Sequence, residues 1–233
     1  MFKPESPERV RTPLMFQEWS SISFIHWPYD PPALAPLLPE GLVPDTFGGH
    51  AWIGLTPFRL RGLRLRYTPR LPWLSSFPET NLRTYVKGPA GRGVWFFSLD
   101  AARALAAIGA RLFYGLPYYW ASMSIQTLGC RVRYQSSRFG RANVDITVES
   151  GLPTESGDDL GRFLTERYRL YSLAWGRLSV ARVEHRPWPL QAASVVRLEE
   201  TLRRAAGLPV NNATPLVHFS SGVRVRVGTL RRA

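Results

Sequence analysis

Phe77-Pro78-Glu79-Thr80-Asn81-Leu82-Arg83-Thr84-Tyr85-Val86-Lys87 is followed by Gly88-Pro89-Ala90-Gly91-Arg92-Gly93 and then by Val94-Trp95-Phe96-Phe97-Ser98-Leu99. Two runs rich in aromatic and β-branched residues flank a glycine and proline turn. That pattern predicts a β-hairpin with strands at Thr80–Lys87 and Val94–Leu99. Strand alternation puts Glu79, Asn81, Arg83 and Tyr85 on one face and Thr80, Leu82 and Thr84 on the other. If the first face looks into a closed sheet, a carboxyl, an amide, a guanidinium and a phenol converge. Arg83 then suits bidentate capture of a carboxylate, and Glu79 suits an acid or base role, its pKa moved by burial and by Arg83. The competing reading pairs Glu79 with Arg83 as an inert bridge on an outer face.

Outward from this hairpin the chain reads as many short elements. Strands are predicted at Met15–His26, His50–Leu60 and Gly62–Tyr67, with a short helix at Ala33–Leu38. Pro69–Pro78, holding Trp73 and Phe77, reads as a long loop of the kind that often carries function. A helix is predicted over Asp100–Tyr114, capped by Ser98 or Asp100, with Ala101, Leu105, Ile108 and Leu112 on one face. Three strands in meander order follow at Ala121–Leu128, Arg131–Gln135 and Asn143–Glu149. Next come a helix at Leu160–Tyr168 and strands at Leu170–Trp175, Arg177–His185 and near Leu190. A helix over Val195–Ala205 stopping at Gly207 precedes a last strand at Val217–Val227. Nine or more strands with a few helices predict a mainly β (α+β) chain, its antiparallel sheet closed on itself with flanking helices. Residues 1–14 read as a flexible tail, and 15–233 as one domain.

The net charge of +13 points toward nucleic acid. Only Lys3 and Lys87 are lysines, so 28 of the 30 basic residues are arginine. The arginines alternate with apolar residues, as in Arg131-Val132-Arg133 and Arg224-Val225-Arg226, which is the pattern of strands with one wet face. That reading explains the charge without a nucleic-acid partner. No run of 18 apolar residues occurs, so no membrane helix is expected, and the chain reads as cytoplasmic. Cys130 stands alone and reads as a half-buried, inert thiol, which excludes an internal disulfide and a cysteine-based zinc site. His26, His50, His185 and His218 lack metal-ligand spacing, so no metal is expected, and His26 and His185 read as structural hydrogen-bonding groups. Nucleophile-elbow, phosphate-loop and dinucleotide motifs are absent, and no cofactor is expected. An exposed sheet edge, or the loop with Trp73 and Phe77, offers a route to a homo-oligomer.

Further motifs carry a resemblance. They include His26-Trp27-Pro28, Leu38-Pro39-Glu40-Gly41-Leu42, Ala51-Trp52-Ile53-Gly54 and Pro57-Phe58. With them go Phe77 to Val86, Gly93 to Ala101, Leu116-Pro117-Tyr118-Tyr119, Phe163 to Tyr168 and His185-Arg186-Pro187-Trp188. In this order, from about Met15 to Val227, they resemble the uncharacterised bacterial family called YqjF-like, within the acetoacetate decarboxylase-like superfamily. The resemblance implies a closed antiparallel acetoacetate decarboxylase-like β-barrel with an interior cavity. In the decarboxylases that cavity holds a Schiff-base lysine and a second lysine that lowers its pKa. The matching place here is Pro117-Tyr118-Tyr119, so two tyrosines stand where the lysines should be. A tyrosine forms no imine, which argues against Schiff-base decarboxylation. Glu79 is the counterpart of the superfamily's pocket glutamate.

Two functions follow as expectations. One is a pocket for a small carboxylic or keto acid, with Arg83 as anchor, Asn81 and Tyr85 beside it, and Tyr118, Tyr119, Trp95 and Phe97 as donors and walls. The other is an enzyme with Glu79 as acid or base and Tyr118 or Tyr119 as proton donor or oxyanion stabiliser, acting as a lyase, hydratase or isomerase. A basic protein binding nucleic acid is a third, lesser reading.

Overall fold

The computed structural model describes residues 8–69, 75–104, 111, 113–139, 142–154 and 158–233. Its strands form one mixed sheet of fifteen. In chain order these are β1 (Met15–Tyr29), β2 (Val43–Pro44), β3 (Thr46–Phe47), β4 (His50–Leu65), β5 (Phe77–Gly88) and β6 (Gly91–Ala101). After them come β7 (Tyr118–Trp120), β8 (Ser122–Leu128), β9 (Arg131–Arg138), β10 (Ala142–Pro153) and β11 (Arg169–Ala174). The last are β12 (Arg177–His185), β13 (Leu190–Glu200), β14 (Leu216–Val227) and β15 (Arg231–Arg232). Among the described residues three α-helices have defined bounds, and all are short: α1 (Pro31–Leu34), α2 (Asp159–Thr165) and α3 (Leu202–Ala205).

The ladders close into a circuit. β1 pairs β4, β4 pairs β5, β5 pairs β6, β6 pairs β11, β11 pairs β12, β12 pairs β14, and β14 returns to β1. Closure leaves these strands with few free edges, which is the main advantage of a ring. The expected antiparallel sheet needs correction at β6, which has two parallel neighbours: β11, with Leu170 beside Val94 and Tyr171 beside Trp95, and the short β7, with Tyr118 beside Leu99. Beyond β14, strands β13, β10, β9 and β8 continue as a wing. The wing packs Val132, Tyr134, Val144, Ile146 and Val148 against Ile25, Ile53, Leu55 and Leu82 on the ring. A second cluster, with Tyr85, Val94, Phe96, Leu164, Ala181, Val183 and Val225, fills the ring itself.

Several expectations shift in detail. His50–Leu65 is one strand rather than two, with Gly62 at φ 61° absorbing the irregularity. Asp100 and Ala101 end β6 instead of capping and opening a helix, and Asp100 is fully buried. Residues 104, 111, 113 and 114 are helical, whereas Leu105, Ile108 and Leu112 lie outside the described residues. Val195–Glu200 belongs to β13, and only Leu202–Ala205 is helical. Its helix-forming composition yields to pairing with β10, where Val195 faces Val148 and Leu198 faces Ile146. Trp73 lies outside the described residues, and Phe77 is a buried strand residue rather than part of an exposed loop. The segment before β1 is tied down where it is described. Val10 is buried and its N–H donates to Glu184, Glu8 meets Arg169, and the Leu14 N–H donates to Val227.

The arginine alternation appears as read. Val132 and Tyr134 are buried while Arg131 and Arg133 face outward and pair with Glu149 and Asp145. Cys130 is exposed rather than half-buried, because it sits on the turn between β8 and β9. Among the described residues no helix is long and apolar enough to cross a membrane.

Candidate functional site

β5 carries the predicted polar face into the ring. Glu79, Asn81, Arg83 and Tyr85 are all buried. Their cross-strand neighbours on β4 are Phe58, Thr56, Gly54 and, one step on, Trp52. The opposite residues Leu82 and Thr84 face the wing side, where Leu82 joins the wing core and the Thr84 hydroxyl donates to the Trp52 carbonyl at 2.8 Å. The outer-face bridge between Glu79 and Arg83 is therefore not formed: both side chains are interior, and no ion pair joins them among the described residues.

Glu79 sits 4% exposed, with the Tyr118 hydroxyl 3.3 Å from each carboxyl oxygen. Burial pushes its pKa up to about 8; the hydrogen bonds from Tyr118 and Asn81 pull the other way, and the Asp100 charge adds to the rise. Glu79 is thus largely a neutral acid at pH 7. Tyr118 is raised well above the ordinary phenol value, first by burial and then by Glu79.

Arg83 is 6% exposed. One Nη donates to the Leu164 carbonyl of α2 at 3.4 Å, and the guanidinium lies 5.6 Å from the Phe24 ring centre and 5.7 Å from that of Tyr85. Its Nε has no partner, and no carboxylate pairs with it among the described residues. His26 and His185 are both pushed below the usual imidazole value, by burial first, with Arg83 contributing to each. The interior around Arg83 therefore holds neutral rings and one uncompensated positive charge.

His26 Nε2 and Tyr85 Oη lie 2.6 Å apart, so the tyrosine is held through its hydroxyl. Gly54 makes that contact fit. A Cβ there would stand 3.0 Å from the His26 ring and 3.1 Å from Tyr85 Oη. Gly54→Ala is expected to lower stability by about 1–3 kcal/mol by overpacking. Urea unfolding of the variant checks this, and a change under about 0.5 kcal/mol would show that the pair has room to spare.

The other predicted residues fall elsewhere. The β5–β6 register shifts between Leu82, which faces Ser98, and Arg83, which faces Phe96. Phe97 is the extra residue of this bulge, and a one-residue slip reverses every face beyond it. Trp95 and Phe97, expected as pocket walls, therefore point away from Arg83. Trp95 packs on Leu42, Val86 and Tyr171, and Phe97 packs on the wing core. Phe96 and Val94 take the inward places. Of the two tyrosines, Tyr118 reaches Glu79, and Tyr119 points the other way, 42% exposed, with the Arg138 guanidinium 4.0 Å over its ring. Adjacent residues of a strand cannot share a face.

The sequence reading missed two buried carboxylates. Asp100 pairs with Arg138 and accepts from Ser136, which ties β6 to the wing; burial raises its pKa, against the pull of Arg138. Asp45 takes Arg167 at 2.7 Å and Lys87 and Arg92 at 3.3 Å each. Nothing local marks either residue, since each depends on a strand or loop distant in sequence.

A cleft of about 610 Å³ opens over α2, lined in part by Phe47, Arg92, Phe163, Arg167 and Tyr168. Phe163 lies 5.7 Å from the Tyr85 ring, and the Arg167 guanidinium lies 5.0 Å from it. Glu79, Asn81 and Arg83 do not line this cleft; Phe163 and Leu164 of α2 pack in the ring's core cluster with Tyr85.

Comparison with solved structures bears on the fold. The chain superposes with a TM-score of 0.68 on the enduracididine biosynthesis enzyme MppR, complexed with the condensation product of pyruvate and imidazole 4-carboxaldehyde. Identity is 15%, over 95% of this chain and 90% of that one. MppR has also been solved with pyruvate bound. An acetoacetate decarboxylase-like enzyme from Sphingomonas wittichii RW1 superposes with a TM-score of 0.69 at 14% identity, over 94% of this chain and 92% of its own. Acetoacetate decarboxylase from Legionella pneumophila gives 0.68 at 12% identity, over 100% and 92%. At these identities the likeness establishes the acetoacetate decarboxylase-like fold and leaves activity open. In sequence, the uncharacterized protein YqjF of Bacillus subtilis (strain 168) is 39% identical over 226 residues, covering 94% of this chain and 92% of the relative. The model of the DUF2071 family, described as an uncharacterized conserved protein, matches residues 16–224, and the chain belongs to that family.

Proposed function

We propose that the ring interior binds a small carboxylic or keto acid, with Arg83 holding its carboxylate and no Schiff base formed. The observation that carries this reading is the buried Arg83 guanidinium, with an unpartnered Nε and no carboxylate beside it among the described residues. A buried cation without a counter-charge is costly, and an incoming carboxylate offsets that cost with charge-assisted hydrogen bonds. Glu79, held neutral by burial, does not repel such an anion. Asn81, whose Oδ1 is buried and unpartnered, and Tyr85 flank the place the ligand would take. Leu164 lends Arg83 a weak carbonyl contact that a carboxylate displaces. The pyruvate held by MppR in a similar fold sets the class of acid to test first. Against a Schiff base stands Lys87, which engages Asp45 and is half exposed.

Binding to the folded state alone raises the melting temperature with ligand concentration. Pyruvate and other small keto, hydroxy and aromatic acids are expected to shift the wild-type melt, and Arg83→Met is expected to abolish the shift. Arg83→Met itself should melt at or above the wild-type temperature, because an apolar side chain replaces an uncompensated buried charge. No shift with any acid, or an equal shift in a folded Arg83→Met, would sink the pocket.

A second reading adds chemistry. A carboxyl with a pKa near 8 beside the Tyr118 hydroxyl suits general acid catalysis of a lyase, hydratase or isomerase step on a carbonyl compound. On this reading Glu79→Gln keeps acid binding and loses turnover.

A further inference from the structure

β11 and β12 meet in a two-residue turn, since Ala174 pairs with Arg177. The turn residues are Trp175 at φ 50° and Gly176 at φ 71°. Two positive φ values define the hairpin turn that favours Asn-Gly or Gly-Gly, and a bulky residue at such a place is a true outlier. Trp175 is also 79% exposed, so it is not there to fill the core. A large aromatic residue in a strained backbone position at the surface calls for another explanation.

Its surroundings supply one. Trp175 lines a cleft of about 360 Å³ between the hairpin tip and β15. Exposed Phe113, half-buried Leu14 and Leu230 and buried Tyr114 give it apolar walls, and Arg177, Arg231 and Arg232 supply its charge. No acidic residue lines it, and none of the three arginines makes an ion pair among the described residues. Tyr114 is anchored by its hydroxyl to the Gly228 carbonyl, and Ser179 by its hydroxyl to the Arg177 carbonyl, so the floor is fixed. The volume falls within the range of small-ligand sites, about 300–1,000 Å³, and is too small for a macromolecular groove.

We propose that this cleft is a second binding site, separate from the ring interior, for a small anion that carries a planar aromatic ring. Trp175 and Phe113 offer faces for stacking, and the arginines pair with phosphate or carboxylate. Nucleoside phosphates and aromatic carboxylates share that chemistry, and calorimetric titration of the full chain separates them. Adenosine monophosphate and 1-naphthoate are the two ringed probes, and ribose 5-phosphate supplies the anion without the ring.

Saturable heat is expected from at least one ringed probe, with ribose 5-phosphate at least tenfold weaker. Trp175→Asn should weaken that probe at least tenfold and leave the melting temperature equal or higher, because asparagine suits the turn. Arg83→Met should leave the affinity unchanged. The proposal fails if neither ringed probe binds or if ribose 5-phosphate binds as tightly. It also fails if Trp175→Asn binds normally, or if that variant melts markedly lower, which would give Trp175 a structural role. Loss of the heat in Arg83→Met would assign it to the interior and overturn the second site.

Discussion

Between pH 4.5 and 8 the wild-type chain is expected to lose about 5 kcal/mol of stability relative to Glu79→Gln. Glu79 has an ordinary value of 4.5 and is pushed up to about 8 in the fold. Throughout that interval the native state binds a proton that the unfolded chain has released. The contribution of the neutral carboxyl is fully present below pH 4.5, declines as pH rises, and is gone above about 8. At about 1.4 kcal/mol per pH unit of separation the total reaches the stated figure. Asp100 is raised by burial and acts in the same sense. His26, His185 and His218 are lowered by burial, so they act in the opposite sense below their ordinary 6.5. The difference between wild type and Glu79→Gln removes these shared terms. Urea unfolding at pH 5, 6, 7 and 8 measures it, and parallel profiles would show that Glu79 ionises normally. A diverging profile fixes the protonation state on which both functional readings depend.

Asp45→Ala should cost about 3–5 kcal/mol, the range for stranding one member of a buried ion pair. The Arg167 side chain is 5% exposed and relies on Asp45 at 2.7 Å. Burial already lowers its pKa, and Asp45 is the main opposing influence. Arg167 also lies 4.1 Å over Phe163 and 5.0 Å over Tyr85, so its release loosens the wall of the ring beside the polar interior. Lys87 and Arg92 are 49% and 61% exposed and should matter little, so Lys87→Ala is expected to change stability by less than about 1 kcal/mol. For a chain of this size the Asp45→Ala loss corresponds to a melting temperature lower by roughly 6–20 °C. A drop of only a few degrees would mean that Arg167 reaches water once its partner is gone.

These two carboxylates mark where local reading stops. Glu79 was legible because its strand alternates cleanly, and Glu79, Asn81, Arg83 and Tyr85 occupy one buried face as that alternation requires. Asp45 stands between two short strands, in a stretch with no such period. Its importance comes from Arg167, which is 122 residues away. Asp100 read as a helix cap because Asp before an alanine-rich run usually is one. Its burial follows from Arg138 and Ser136 on the wing, which no local pattern announces.

The sequence by itself determined the β-rich class, the β5–β6 hairpin, the family and which side of β5 is polar. Side-chain period and turn residues set the class, the hairpin and the polar side, and they act within a few residues; the family is carried by motifs spread along the chain. The tertiary structure alone decided register, which strands close the ring, and that the polar side of β5 turns inward. It placed the bulge at Phe97, which turned Trp95 and Phe97 outward and Phe96 inward. It sent Tyr118 to Glu79 and Tyr119 to the surface, drew Val195–Glu200 into a strand, and shut the ring through β12 and β14. Pairing between distant segments fixes such features, because a one-residue slip costs nothing locally yet moves every side chain to the opposite face.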